Sequence, residues 1–336
     1  MVETQLTYAQ VKAQHRELAD NHCWILGILG IWGERLSNRE IARVGRDINL
    51  KSEHQSSLAQ ADVDRIIREL AQSGWLSQTH NDWIIEPAYR EAVARTAMLR
   101  DNQMGRKIIG ALQRSQRLSD YVHPMGGHRS HHSPLRILRL QYLAQDTRYF
   151  FSNYSTVMRT GQWHSAWKEY VEELPQIFLP YDPEWVASLS APLQTRTLEE
   201  VFFSDSFHQI DQERFLQQVL ATKTLSDRQA FRLRTLAAHH LLFLHPPTLE
   251  SWLPEHYFTY SEWEGLLAVR AVLAADPSAV GPHFNNFLKL NKLKHLPDNF
   301  FTCVYLLWYF RESQELNAPE IARILDKSPV KQYLVA

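Results

Sequence analysis

The densest set of chemistry-bearing side chains is the run His123-Pro-Met-Gly-Gly-His128-Arg-Ser-His131-His132-Ser-Pro, with four imidazoles inside ten residues. Neutral imidazole is a common metal ligand, so this spacing could hold a divalent cation. No cysteine or carboxylate lies among the four, and structural zinc sites draw their ligands from ordered elements at fixed pair spacing. The Pro, Gly and Ser setting predicts an exposed linker that touches phosphates rather than a metal centre, and no cofactor is expected. His239–His240 lies within an apolar run with His245 just beyond it, the pattern of packed or surface histidines. Glu172 and Glu173 read as a solvated helix end, and Lys289, Lys292, Lys294 and His295 as a small second basic spot. No HExxH, GxSxG, Walker A or paired-cysteine zinc motif occurs. The chain is therefore not expected to be an enzyme.

The cations are more informative. Arg39, Arg43 and Arg46 recur at i, i+4, i+7, which places them on one face of a helix, with Lys51 in the loop beyond. The next helix carries Arg65 and Arg68, but also Asp62, Asp64 and Glu69, and carboxylates repel phosphates. A long helix is expected from Pro87 to about Tyr121, with Pro in its first turn. Arg100, Lys107 and Arg114 recur every seven residues along it, and Arg106 and Arg117 lie close to that stripe. Net charge is −3 over residues 1–86, +7 over 87–139 and −5 over 140–336, against −1 for the whole chain. One basic segment between two mildly acidic ones is the best nucleic-acid footprint available. The contacts expected are to the DNA backbone, since few side chains of the helix carrying Arg65 and Arg68 suit base edges.

Several elements must position these residues. Residues 4–20 form a polar amphipathic helix, and Cys23 to Trp32 an apolar one. Gly27, Gly30 and Gly33 in that second segment lack any phosphate-loop context and point to close helix packing. Ser37 and Glu40 form a capping box opening a helix with Ile41, Val44 and Ile48 on its apolar side. After a polar loop, Val63, Ile66, Ile67 and Leu70 give a second apolar stripe, stopped by Gly74 as a left-handed cap. Trp75–Gln78 and Asp82–Ile85 then read as a hairpin turning at Thr79, His80 and Asn81.

Helix, helix, loop, helix, hairpin, with the phrase IIRELAQSGWLSQ running from the last helix into the hairpin, resembles the winged-helix superfamily over about a quarter of the chain. That resemblance implies either a duplex-binding or a protein-binding module. From residue 134 on the pattern is helix after helix with almost no alternation. Segments 134–158 and 162–174, with Gly161 and Trp163 near the turn, resemble helix hairpins of the tetratricopeptide kind without a strict period. The aromatics there (Phe150, Tyr154, Trp167 and others) are expected to be core. The expected fold is mainly α: a winged-helix domain with a small β-hairpin wing over 1–86, a basic connector helix and His-rich loop over 87–133, and an α-solenoid-like array over 134–336.

The 336 residues suffice for two or more cores, and the composition, 44% hydrophobic and 22% charged, is that of an ordinary globular chain. Cys23 and Cys303 both lie in apolar runs, so buried free thiols in a reducing compartment are expected. No membrane span or secretory leader is visible, and a cytoplasmic protein is expected; the lack of long low-complexity tracts fits a bacterial origin. Two functions follow. The first is a non-enzymatic adaptor that holds duplex DNA and binds a protein partner through its helical repeats. The second is an accessory N-terminal module of an ATP-driven DNA machine. The layout, with the run FNNFLKLNKLKHLPDNFFTCVYLLWYF, loosely resembles the region before the motor in bacterial SNF2-type helicases. An SMC-like or defence complex is a related option. Either would use the winged helix for protein contacts.

Overall fold

The computed structural model describes residues 6–51, 57–116, 122, 134–202, 204, 207, 210–221 and 261–291. The His123–His132 run, Arg117, Cys303 and the parts of the expected helical array over 222–260 and 292–336 lie outside the described residues. The chain divides into two compact units, residues 1–218 and 219–336. The described residues are mainly helical, with one small antiparallel sheet.

In the first unit, α1 (Tyr8–Glu17) opens on a Thr7/Gln10 capping box. The second helix, α2 (Asp20–Trp32), is buried on every side from Cys23 to Trp32 and ends on Gly33, whose φ of 78° takes the left-handed cap. β1 (Leu36–Ser37) follows, and α3 (Asn38–Asp47) starts on the Ser37/Glu40 capping box, with Ser37 N–H donating to Glu40 at 2.8 Å. α4 (Gln60–Gln72) runs to Gly74, again left-handed at φ 79°. β2 (Leu76–Thr79) and β3 (Asp82–Ile85) make the hairpin, with His80 at φ 59° in its two-residue turn. β1 pairs with the outer side of β3 (Leu36 opposite Trp83), giving the order β1-β3-β2. The two-residue β1 has no sequence signal, because two residues cannot show alternation.

The helix expected over 87–121 is two helices. α5 (Arg90–Arg100) stops at Asp101, whose backbone is extended (φ −152°, ψ 98°), and α6 (Asn102–Gln116) starts anew. The Asp101 carboxylate accepts the Met104 N–H at 3.0 Å and so caps α6. The corner is tight: a Cβ on Gly105 would lie 2.2 Å from Met98 Sδ. Nor is α5 an exposed connector. Ala92 through Met98 are all buried, and α5 lies so close on α2 that a Cβ on Gly30 would come within 2.9 Å of Val93 and one on Gly27 within 3.1 Å of Ala97. Glycine is required at Gly30 for this approach.

Beyond the His-rich run come α7 (Pro134–Leu143) and α8 (Thr147–Trp163), in place of one helix over 134–158. Gln145 at φ 55° turns the chain, and Asp146 caps α8. The segment expected as a helix over 162–174 is a 3-10 turn, the short α9 (Lys168–Glu173) and a second 3-10 turn over Leu174–Ile177. α10 (Pro183–Ser188), α11 (Ala191–Phe202) and α12 (Gln212–Ala221) complete this stretch. One apolar core runs from Val11 to Leu193, so the division expected at residue 134 falls inside the first unit. Tyr142, Phe150, Phe178 and Trp185 pack there, Tyr142 edge-on to Phe178 at 5.3 Å and to Trp185 at 6.0 Å. Phe150, Tyr154 and Trp167 are core as expected, whereas Trp163 is 82% exposed. In the second unit α13 (Ser261–Leu273) packs along α14 (Pro277–Asn291), with buried Glu264 accepting from His283 at 2.8 Å.

Two arginines hold this core together. Arg95 is wholly buried and donates to the carbonyls of Pro180, Leu179 and Ile177 at 2.5, 3.0 and 3.3 Å. Arg139 donates to Gly30 and Ile31 at the end of α2 (2.8 and 2.6 Å) and to Glu91 at 2.7 Å. Replacing a buried donor by an apolar chain strands its acceptors without water. Arg95→Met is therefore expected to cost about 3 kcal/mol in urea unfolding. A loss below about 1 kcal/mol would show that the three carbonyls find other donors.

Candidate nucleic-acid interface

The amphipathic pattern of α3 decides what it shows to solvent. Ile41, Ala42, Val44 and Gly45 turn into the core, leaving Arg39, Arg43 and Arg46 exposed. Lys51, after the left-handed Asn49, is exposed as well. α6 packs against α3, and Gln116 donates to Glu40 at 2.8 Å. Burial opposes it, but hydrogen bonds from Ser37 and Gln116 hold the Glu40 carboxyl below its usual range. The pair locks the start of α3 to the end of α6. On α6 the buried side is Gly105, Ile108, Ile109, Ala111 and Leu112, and Arg106, Lys107 and Arg114 are exposed. None of these seven cations pairs with another described residue. These are exposed cations on and beside two touching helices, of the kind that meet phosphate oxygens.

The other expected cations are placed differently. Arg100 lies on α5, off the α6 stripe, where it forms an ion pair with Asp20 and donates to Cys23 Sγ at 3.4 Å. The seven-residue stripe Arg100–Lys107–Arg114 is thus broken by the corner at Asp101. Arg65 pairs with Glu69 at 3.0 Å, and Arg68 donates to the Asp64 carbonyl at 3.0 Å. The acids of α4 are likewise engaged: Asp62 caps Ala59, Asp64 accepts from Asn38 (2.6 Å) and Gln60 (3.0 Å), and Glu69 accepts from His22 at 2.7 Å. Hydrogen bonds from His22 and then Arg65 hold the Glu69 carboxyl below its usual range. α4 therefore presents mutually satisfied charges.

Two side-chain clusters have no sequence signal because their members are far apart in the chain. The first lines a cavity of about 370 Å³ with Trp32, Glu34, Arg90, Glu91, Arg136 and Arg139. Its charges are matched internally: Arg139 and Arg90 both meet Glu91, and Arg136 pairs with Glu34 while lying 4.8 Å over the Trp32 ring. The second is a buried cysteine–histidine pair, Cys23 Sγ lying 3.5 Å from His15 Nε2. Nucleophilic catalysis needs a thiolate, but burial pushes the Cys23 thiol up to about 11 and His15 down to about 4. Both stay neutral at pH 7, so the pair packs rather than reacts. Among the described residues no group of three or more His, Cys, Asp or Glu is placed to hold a metal, and no helix is long and apolar enough to cross a membrane. None of the known protein families, curated proteins or solved structures compared with the chain gives a significant match.

The depressed His15 value makes stability depend on pH. As pH falls below the ordinary histidine value the unfolded chain takes up a proton that the folded chain refuses until about pH 4. Stability is thus full near pH 7 and drains between about pH 6.5 and 4, by an amount on the order of 3 kcal/mol. Unfolding curves across that window, compared with His15→Gln, are expected to show the larger loss in the parent; parallel curves would mean His15 protonates freely in the fold.

Proposed function

We propose that this chain is a non-enzymatic, DNA-associated adaptor that grips the duplex backbone through α3 and α6 and recruits a protein partner through the helices beyond residue 134. The observation that carries this reading is the set of seven exposed, internally unpaired cations (Arg39, Arg43, Arg46, Lys51, Arg106, Lys107 and Arg114) on and beside two helices in contact. The order α2, β1, α3, α4, β2, β3 supports a winged-helix assignment for residues 20–85, with α4 in the place of the recognition helix. Because α4 carries its own paired acids, binding is directed to phosphates and is largely indifferent to sequence. The same acids favour a second reading, in which α4 meets a protein: an accessory module of an ATP-driven DNA machine, or of an SMC-like or defence complex.

Each neutralised phosphate releases counterions, so the plot of log affinity against log salt falls by about 0.9 per contact. For a random-sequence duplex a slope steeper than about −3 is expected, and Arg39→Ala/Arg43→Ala/Arg46→Ala should flatten it by roughly 2 to 3. Arg100→Ala should leave the slope alone and lower stability instead, since it breaks the tie to Asp20. An unchanged slope in a folded triple variant removes α3 from the interface. Absence of binding at low salt leaves the protein-binding reading.

A further inference from the structure

A second cavity, of about 460 Å³, lies between α6 and the turn joining α7 to α8. Its volume is in the range of small-molecule sites. Arg106, Gly110 and Gln113 form the α6 wall at i, i+4, i+7, and Gln145, Asp146 and Tyr149 form the opposite one. Arg106 belongs both to this wall and to the basic face. Arg114 folds back along the same helix, its Nη1 3.4 Å from where a Cβ on Gly110 would sit. The two walls differ in charge. The α6 side offers guanidinium groups, and the far side holds the Asp146 carboxylate, fixed by its cap on Tyr149 N–H at 3.2 Å. The neutral lining between mixes amides, the Thr147 hydroxyl, the Tyr149 ring and the apolar Ile109, Leu140 and Ala144.

We infer that this cavity takes a single unpaired nucleotide at the end or in a gap of a DNA strand, its phosphate against Arg106 and Arg114 and its base between Gly110 and Tyr149. Gly110 has no side chain of its own, so a flat ring can lie on it once the flexible end of Arg114 turns aside to the phosphate. Tyr149 supplies an aromatic wall, and stacking on aromatic side chains beside a basic track is how unpaired bases are held. Primary amides donate and accept at once, so Gln113 and Gln145 can meet a base edge. Asp146 repels phosphate from the far side, which sets the direction of the nucleotide. Gln145 keeps a left-handed backbone (φ 55°) that a glutamine adopts only at a cost. The inference rests on the backbone-binding reading above and adds a preference for unpaired over fully paired ends.

Fluorescence anisotropy with the full chain tests it, using two probes with equal numbers of phosphates: a blunt duplex and a duplex with a short single-stranded tail. The tailed probe is expected to bind at least about 5-fold tighter, the low end for one stacked base. Gly110→Leu, which fills the slot while meeting only the flexible end of Arg114, should erase that ratio with the circular dichroism of the parent retained. Gln145→Gly, which also relaxes the left-handed backbone, should lower it. Equal affinity of the parent for both probes, or a ratio untouched in both folded variants, overturns the nucleotide pocket and leaves the backbone reading standing. If neither probe binds, the backbone reading fails, and calorimetry with deoxyadenosine monophosphate against deoxyribose phosphate decides the cavity. Binding of the nucleotide alone, lost in Gly110→Leu, sustains the pocket, and no heat with either compound overturns it.

Discussion

The buried guanidinium of Arg95 is the constraint on which the first unit depends. The chain leaves the core from Ile177, the last residue of a 3-10 turn, to Pro180 without further regular structure, so these carbonyls have no ladder to enter. Buried backbone acceptors must be paired, and Arg95 supplies the donors from the middle of α5. Glu91 and Asp182 lie in its field and keep it charged against the effect of burial. Asp182 in turn receives Lys12 at 2.7 Å and Tyr8 at 3.0 Å and caps α10 through Glu184 and Trp185 N–H. Arg95 and Lys12 together therefore tie α5, α1 and α10 to the run between them. Arg139 does the same office for α2, closing its last carbonyls while pairing with Glu91.

The position of the basic face follows from that core. Glycines at 27 and 30 set α5 close to α2, and α5 being fixed, the corner at Asp101 aims α6 across α3. Had the chain continued as one helix through 101, Arg100 and Lys107 would share a stripe with Arg114. The corner instead places Arg100 beside Asp20 and leaves Arg106, Lys107 and Arg114 as neighbours of the α3 arginines' helix. The glycines act through geometry alone, and the cations gather as a consequence.

What could be seen in the sequence was whatever is decided locally. The Ser37/Glu40 box, the left-handed Gly74, the hairpin over 76–85 and the apolar stripes of α3 and α4 need only near neighbours, and each is present. The break at Asp101 was hidden because apolar periodicity continues through it; an aspartate three residues before a free N–H is a cap only if the chain turns there. The break at Ala144–Asp146 was hidden in the same way. Charge counting misled for a different reason. Residues 87–139 are strongly basic in sum, yet Arg90, Arg95, Arg100, Arg136 and Arg139 are all held by partners from distant parts of the chain or the next residue. A cation's availability is a tertiary property, and Ala-rich surroundings such as those of Arg95 were the one local hint that it would be buried.

The same distinction separates α4 from α3 and α6. α4 has two cations and three acids, each spent on a neighbour, so presenting it to a polyanion would require breaking hydrogen bonds already made within the fold. α3 and α6 have no such ties to break at Arg39, Arg43, Arg46, Arg106, Lys107 and Arg114. For a ligand whose attraction is mainly counterion release, the side with unspent cations is the side that binds. Under the proposed reading α4 would then stand beside the duplex rather than in its groove, with its paired surface left for a protein.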